Sequence, residues 1–306
     1  MSQPITKVAL AGASGTLGRR ILAALLAANY TVTVLTRQTS SGTFPPEVHI
    51  AKVDYTSATS LESALRGQDA LISTLSTTSI AQQEPLILAA LAARVRRIVP
   101  SEFGSDTHQP ANAALPVFAP KLAIEKLLVE GVARSQGQSS YTIVQNNVFL
   151  DWGIAQGLLL DAKRKSIVLY DGGETPYSAT PVGAVADAVV GVLKRVEETA
   201  DRVVRVHGAV LTQKRLLELG KKALGEEEGW RVEEVGTEEV VRRAWEGLER
   251  EPGDVMGWAL GFLKGAIFSE AHRPVLPGVE NGLLGVGETG EEEILGWIRE
   301  AAGVGA

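Results

Sequence analysis

Through residue 150, short runs rich in Val, Ile, Leu and Ala alternate with longer segments whose apolar residues recur every three to four positions. The runs at 7–11, 31–35, 48–53, 70–74, 97–100 and 141–145 read as buried strands. The periodic segments at 16–28, 60–66, 81–93 and 120–135 read as helices with one face on those strands. Strands joined through helices require crossover connections, so the pattern predicts an α/β fold with a doubly wound, mainly parallel sheet. In such sheets ligands bind beyond the carboxyl ends of the strands. The loops at 12–18, 73–76, 100–104 and 146–149, with Arg37 and Asp54, are therefore expected to line one crevice.

After Asp151 the pattern changes. A short helical piece at 153–165, a strand at 167–169 and an Asp171-Gly172-Gly173 turn are followed by a helix at 182–196 and a strand at 202–206. From Gly208 onward the chain reads as mostly helical and acidic, with Trp230, Trp245 and Trp258 spread through it. The expected organisation is a dinucleotide-binding domain over 1–150 and a smaller mixed α/β lobe over 151–306. The lobe completes the substrate pocket, and some of its segments return to the first sheet. The glutamates at 226–228 and 291–293 read as solvated helix ends.

Charge and composition narrow the function classes. Thirty basic against thirty-six acidic residues give a net charge of −6, with no basic stripe to suit nucleic acid. The longest apolar runs, such as 85–93, are too short to span a bilayer, and the first strand starts so near Met1 that no targeting peptide is expected. There is no cysteine, which excludes a disulfide framework, a thiolate metal site and a thiol nucleophile together. His49, His207 and His272 lack ligand spacing with carboxylates, so no metal site is expected. These features predict a cytoplasmic, soluble protein, monomeric or homodimeric, acting on a small molecule.

The strongest local signal is Gly12-Ala13-Ser14-Gly15-Thr16-Leu17-Gly18, lying between the first strand and the first helix. Glycines let backbone approach a pyrophosphate, and a helix N-terminus offers free N–H groups and partial positive charge. The spacing is G-x-x-G-x-x-G, not the G-x-G-x-x-G of the standard fingerprint. At the end of the second strand stand Thr36-Arg37, with no carboxylate until Glu47. An acidic residue there suits the ribose 2′-hydroxyl of NAD, whereas an arginine suits the 2′-phosphate of NADP. The expected cofactor is NADP(H). Its candidate contacts are Gly12, Ser14, Gly15, Thr16, Leu17, Gly18 and Arg37, joined by Asp54, Thr74, Lys121 and Asn147 from the other strand ends. The plain alternative is a tight turn and a solvated strand-end charge.

A tyrosine acid is disfavoured, because no Tyr-x-x-x-Lys occurs and Val117 precedes Lys121 by four. Lys121 itself shares an inward helical face with Ile124 and Leu128, while Lys126 is rotated away. Pro120 fits a first helical turn, which places Lys121 near the positive end of the dipole. Burial and that dipole both disfavour the ammonium and tune the amine toward acid/base work. The spacing equally admits a lysine whose stem packs while its head reaches water. At the fifth strand's end, Ser101 and Glu102 lie in cleft positions; Glu102 is expected to be a structural carboxylate satisfied by nearby amides. His108 is expected to be an exposed loop histidine.

The glycine turn with Arg37, then Leu71-Ile-Ser-Thr-Leu75, Val99-Pro-Ser-Glu-Phe-Gly104, Val117-Phe-Ala-Pro-Lys121 and Tyr141-Thr-Ile-Val-Gln-Asn-Asn-Val-Phe149, resemble the NmrA-like, isoflavone-reductase-like branch of atypical short-chain dehydrogenases. The resemblance runs through the helix beginning at Val182. It implies a Rossmann-type NADP-binding domain, Lys121 in the catalytic lysine position and Arg37 in the 2′-phosphate position. It also implies an NADPH-dependent reductase of a small aromatic or conjugated, secondary-metabolite-like substrate. Plant members carry a second lysine after the arginine; the segment 38–46 has none, leaving Ser40 and Ser41 as stand-ins. The stretch 146–152 looks more like fungal members than plant lignan enzymes. Some NmrA-like proteins bind dinucleotides as redox sensors without turnover, and a tuned lysine in the cleft separates the two readings.

Overall fold

The computed structural model describes residues 3–225 and 228–304. Strands β1 (Lys7–Ala11), β2 (Thr31–Arg37), β3 (His49–Val53), β4 (Ala70–Ser73), β5 (Arg97–Val99) and β6 (Ser140–Gln145) alternate with helices. The helices are α1 (Thr16–Ala27), α2 (Ala58–Leu65), α3 (Gln83–Ala92), the short α4 (Pro110–Ala113) and α5 (Ala119–Arg134). All six strands run parallel, in the order β6-β5-β4-β1-β2-β3. The chain leaves β1 for β2 on one side and crosses to β4 on the other. The resulting switch point between β1 and β4 is the crevice such sheets offer to ligands.

Side-chain alternation on β1 divides the core in two. Val8 and Leu10 join Ile21, Leu22 and Leu25 of α1, while Ala9 and Ala11 face the layer holding Leu61, Leu86, Ile124 and Leu128 from α2, α3 and α5. The small alanines on the second face let helices approach closely. The segment expected to be helical from 81 begins as a 3₁₀ turn at Thr77–Gln82, with regular α-helix only from Gln83.

The later part adds β7 (Val148–Phe149), α6 (Leu150–Ala155), β8 (Ser166–Tyr170), β9 (Tyr177–Thr180) and α7 (Val182–Lys194). Then follow β10 (Arg202–Arg205), β11 (Ala209–Leu211), α8 (Gln213–Leu224), β12 (Arg231–Val235), α9 (Thr237–Arg250), α10 (Val255–Phe268), α11 (Asn281–Leu284) and α12 (Glu291–Ala302). Strand β10 extends the main sheet as the parallel neighbour of β6, and α7 packs on α1. The helical piece expected at 153–165 is instead α6, which ends at Ala155. The region after Gly208 is less purely helical than its composition suggests, because β11 pairs with β9 and β12 pairs in parallel with β8. β12 reads Arg-Val-Glu-Glu-Val and is exposed over its first four residues, so backbone pairing, not an apolar period, makes it a strand. Of the glutamates at 226–228, Glu226 and Glu227 lie outside the described residues. Among the described residues no helix is long and apolar enough to cross a membrane.

One contact between the parts bears on function. Phe262 and Ala266 of α10 pack with Leu115, Val117 and Phe118, the apolar run that leads into α5. Burial of that run fixes where α5 begins, and hence where Lys121 sits.

Candidate active site

At the dinucleotide end the geometry is set by close backbone approach. Gly12 has φ +83°, and a Cβ there would lie 2.7 Å from the Thr74 carbonyl oxygen. A Cβ on Gly18 would lie 2.2 Å from the Gly12 carbonyl oxygen, so α1 can pack against the turn only with glycine at this position. Gly15 caps α1, donates its N–H to Gly12 O at 3.0 Å and otherwise faces open space. Thr74 donates both its N–H and its hydroxyl to Ala11 O, each at 2.9 Å, tying the ends of β4 and β1 together across the switch point.

Gly12, Ser14, Gly15, Thr74 and Arg37 line one crevice, together with Ser40, Phe44, Tyr55 and Ser76. Thr16, Leu17 and Gly18 form the first turn of α1 behind that lining, with Leu17 packed on the core and Gly18 buried. Arg37 closes β2 as an exposed residue, two places beyond the strand end expected from the sequence. Burial pushes the nearby Tyr55 hydroxyl up to about 12, against the pull of Arg37. Asp54 turns away: its Oδ1 accepts from Thr56 N–H at 2.9 Å and Thr56 Oγ1 at 2.7 Å, and Tyr55 takes the inward place.

Asn147 is buried with φ +51° and lies outside the crevice lining. Its amide donates to Ser178 O at 2.9 Å and Pro274 O at 2.8 Å, and its N–H donates to Gly104 O at 2.8 Å. It rivets the 102–105 loop to β9 and to the segment after α10.

One residue escaped the sequence reading. Lys52 on β3 donates its Nζ to Gln38 O at 3.1 Å and Ser40 O at 2.8 Å, clasping the loop that follows Arg37. It faces Thr36 in the parallel register. That pairing is the only signal that could have found it, and it requires knowing how β2 and β3 align.

Lys121 stands in the first turn of α5, with Pro120 beside it as expected. Its Nζ donates to Phe103 O at 3.3 Å and lies 3.5 Å from where a Gly104 Cβ would be. Ile124 and Leu128 are buried on the same face and Lys126 is exposed. Burial lowers the Lys121 ammonium from its ordinary range, with the charge of Glu102 opposing.

One expectation is corrected here. Glu102 is 1% exposed, yet neither carboxylate oxygen has a hydrogen-bond partner among the described residues, so it is not satisfied by nearby amides. The turn at Pro100–Gly104 aims it inward while its backbone N–H bonds Pro100 O at 2.9 Å. Burial raises its carboxyl to about 7, opposed by Lys121 and His108 and aided by Glu125. His108 is an exposed loop histidine as expected, and its Nε2 meets Glu125 Oε1 at 2.6 Å, a bond that raises the imidazole. Glu125 lies one helical turn after Lys121, which brings the pair beside the same cluster. Ser101 is committed elsewhere, its N–H to Gln83 Oε1 at 2.7 Å and its hydroxyl to Leu75 O at 2.8 Å.

The chain is similar to known proteins. The model of the NmrA-like family matches residues 4–242. An oxidoreductase of Penicillium oxalicum, poxI, is 30% identical over 299 residues, covering 94% of this chain and 92% of that protein. The oxidoreductase aprR of Aspergillus flavus is 33% identical over 248 residues, covering 80% and 82%. Among solved structures, the NADPH complex of leucoanthocyanidin reductase from Vitis vinifera superposes with a TM-score of 0.76 at 18% identity, over 95% of this chain and 99% of that one.

Proposed function

The chain belongs to the NmrA-like family, and from that membership we propose that it is an NADP(H)-dependent reductase of a small aromatic or conjugated substrate. The observation that carries the cofactor assignment is Arg37 at the lip of the crevice that also holds Gly12 and Gly15. The lining fits a dinucleotide. Gly12 and Gly18 let the turn pack closely against β4 and α1, Gly15 leaves the start of α1 open to a pyrophosphate, and Arg37 offers a cation where a 2′-phosphate would lie. The names of the fungal relatives support redox chemistry, and the NADPH complex among the neighbours supports the cofactor.

When bound, the cofactor supplies the hydride. The chain's own part is to orient it and to manage a proton. Lys121 Nζ, enclosed and held by Phe103 O, gives or takes the proton on a substrate phenol or carbonyl oxygen. Lowering the pKa of this amine favours proton release.

The test is calorimetric titration with NADPH and NADH, followed by NADPH oxidation with a panel of phenolic ethers, enones and aromatic ketones. Tighter binding of NADPH and turnover of at least one panel member are expected. Preference for NADH would overturn the cofactor assignment. Cofactor binding with no oxidation, together with cofactor-dependent capture of a protein partner, would replace the reductase with a redox sensor.

A further inference from the structure

Glu102 is unusual in this protein. A carboxyl group buried at 1% exposure should be neutralised by an ion pair or by several hydrogen bonds. It has neither, and both oxygens stand unpartnered among the described residues. Its position is constrained from both sides. The next residue, Phe103, offers the carbonyl that receives Lys121 Nζ, and the one after, Gly104, backs onto the same amine. Asn147 holds Gly104 O in place. The short, riveted loop that carries the buried acid thus also holds the Lys121 amine, with no direct hydrogen bond between the two side chains among the described residues.

We propose that Glu102 acts through Lys121, its nearby charge favouring the ammonium whose proton is delivered to the substrate oxygen. This rests on the reading of Lys121 as the proton-transfer group. Before reaction the pair is either ammonium with carboxylate or amine with carboxylic acid, and the proton count is the same. As hydride reaches the substrate carbon, the displaced electron pair moves to the substrate oxygen, which takes a proton from Lys121 in its ammonium form, the form paired with Glu102 as carboxylate. Amine and carboxylate remain, and one proton from solvent restores the pair. The advantage is electrostatic. Burial disfavours the Lys121 ammonium, whereas the charge of a nearby buried carboxylate favours it and so helps keep a proton in the site at little cost in net charge.

The charged groups that face Glu102 are Lys121 and Glu125 on α5 and His108 in the loop between β5 and α4. Glu125 is engaged by His108 at 2.6 Å. Beyond His108, Asp106 is paired with Arg205 at 3.1 Å. Lys121 is therefore the cation whose removal should most affect Glu102.

The test needs no substrate. Infrared difference spectra of the full-length protein, carrying isotope-labelled glutamate, are recorded between about pH 5 and pH 9. The expected result is a protonated-carboxyl stretch that titrates with a midpoint of about 7 and is absent from Glu102→Gln. In Lys121→Met the cation that holds the acid down is lost, so the midpoint should rise by about one pH unit or more. Circular dichroism checks that each variant folds; should Glu102→Gln fail to, the Lys121→Met shift alone decides. Absence of any such stretch in the unmodified protein, or a midpoint indifferent to Lys121→Met, overturns the proposal. Turnover separates this from the functional reading. An active enzyme insensitive to Lys121→Ala would sink the lysine mechanism while leaving a shifted stretch as proof of the coupled pair.

Discussion

At the glycine turn the protein meets its ligand with backbone and exposed side chains, whereas at Lys121 it presents charges withdrawn from water. Ser14, Gly15 and Arg37 are all exposed, and the shape there comes from two glycines at which a Cβ would lie only 2.2 to 2.7 Å from a neighbouring carbonyl oxygen. The other end joins an enclosed amine to a carboxyl at 1% exposure. Binding a large polyanion needs positioned N–H donors and a cation, which solvent does not defeat when the ligand brings its own charge. Moving a proton at neutral pH needs side chains pushed off their ordinary pKa values, and burial supplies the push. The two ends should therefore fail differently. Damage at one should cost affinity, and damage at the other should cost rate.

The largest effect is expected at the buried end. Lys121→Ala should lower turnover by about 10²–10⁴ while NADPH affinity stays within about threefold, since the residue's role is a proton transfer. Lys126→Ala, exposed on the opposite side of the same helix, should do neither. Arginine at 121 should not rescue, because a guanidinium holds its proton at any working pH. Initial rates of NADPH oxidation beside calorimetric affinities check all three. If Lys121→Ala loses affinity and rate together, the contrast between the ends collapses, and the lysine is a cofactor contact.

Arg37→Ala is the mirror-image change and the next in size. A charge-assisted contact to a phosphate contributes about 1.5–3 kcal/mol, so NADPH affinity should fall by about tenfold to a hundredfold. NADH has no 2′-phosphate and should bind nearly as before. Turnover at saturating NADPH should be close to that of the unmodified protein. Equal losses for the two cofactors would remove the phosphate from the explanation.

The same division governs what the sequence could disclose. The dinucleotide end is local: seven consecutive residues from Gly12 to Gly18 state their turn, and Arg37 ends the next strand. The sheet was legible for a related reason, since buried parallel strands such as β1 and β4 are short apolar runs with helices between them. Lys121 was visible through helical spacing and its neighbour Pro120. The environment of Glu102 was not, because a residue's hydrogen-bond partners depend on how β5, α5 and the loop at 146–147 come together. Asn147 shows the same limit from the other side. Its place at a strand's carboxyl end suggested a ligand contact, yet its amide serves Ser178 and Pro274, the latter 127 residues away. Short paired strands such as β7 and β12 escaped because partners, not their own pattern, make them strands.

Lys52 offers the smallest and most discriminating test. It stands on the exposed side of the dinucleotide end, where two serines were the expected replacements for a missing second lysine. Its Nζ bonds Gln38 O and Ser40 O, so its present work is to hold the loop that carries Ser40 beside Arg37. An exposed clasp of this kind contributes about 0.5–1 kcal/mol, and Lys52→Ala should weaken NADPH by about two- to fivefold with NADH little changed. Turnover at saturation should not move. Salt then separates two roles. If Lys52 acts by holding backbone, the ratio between variant and unmodified affinities should be nearly the same at low and high ionic strength. If its charge reaches the 2′-phosphate directly, the ratio should shrink toward one as salt rises, because exposed charges are screened over about 10 Å at 0.1 M. A loss as large as that of Arg37→Ala would mean that the second cation is not missing from this protein but supplied from β3.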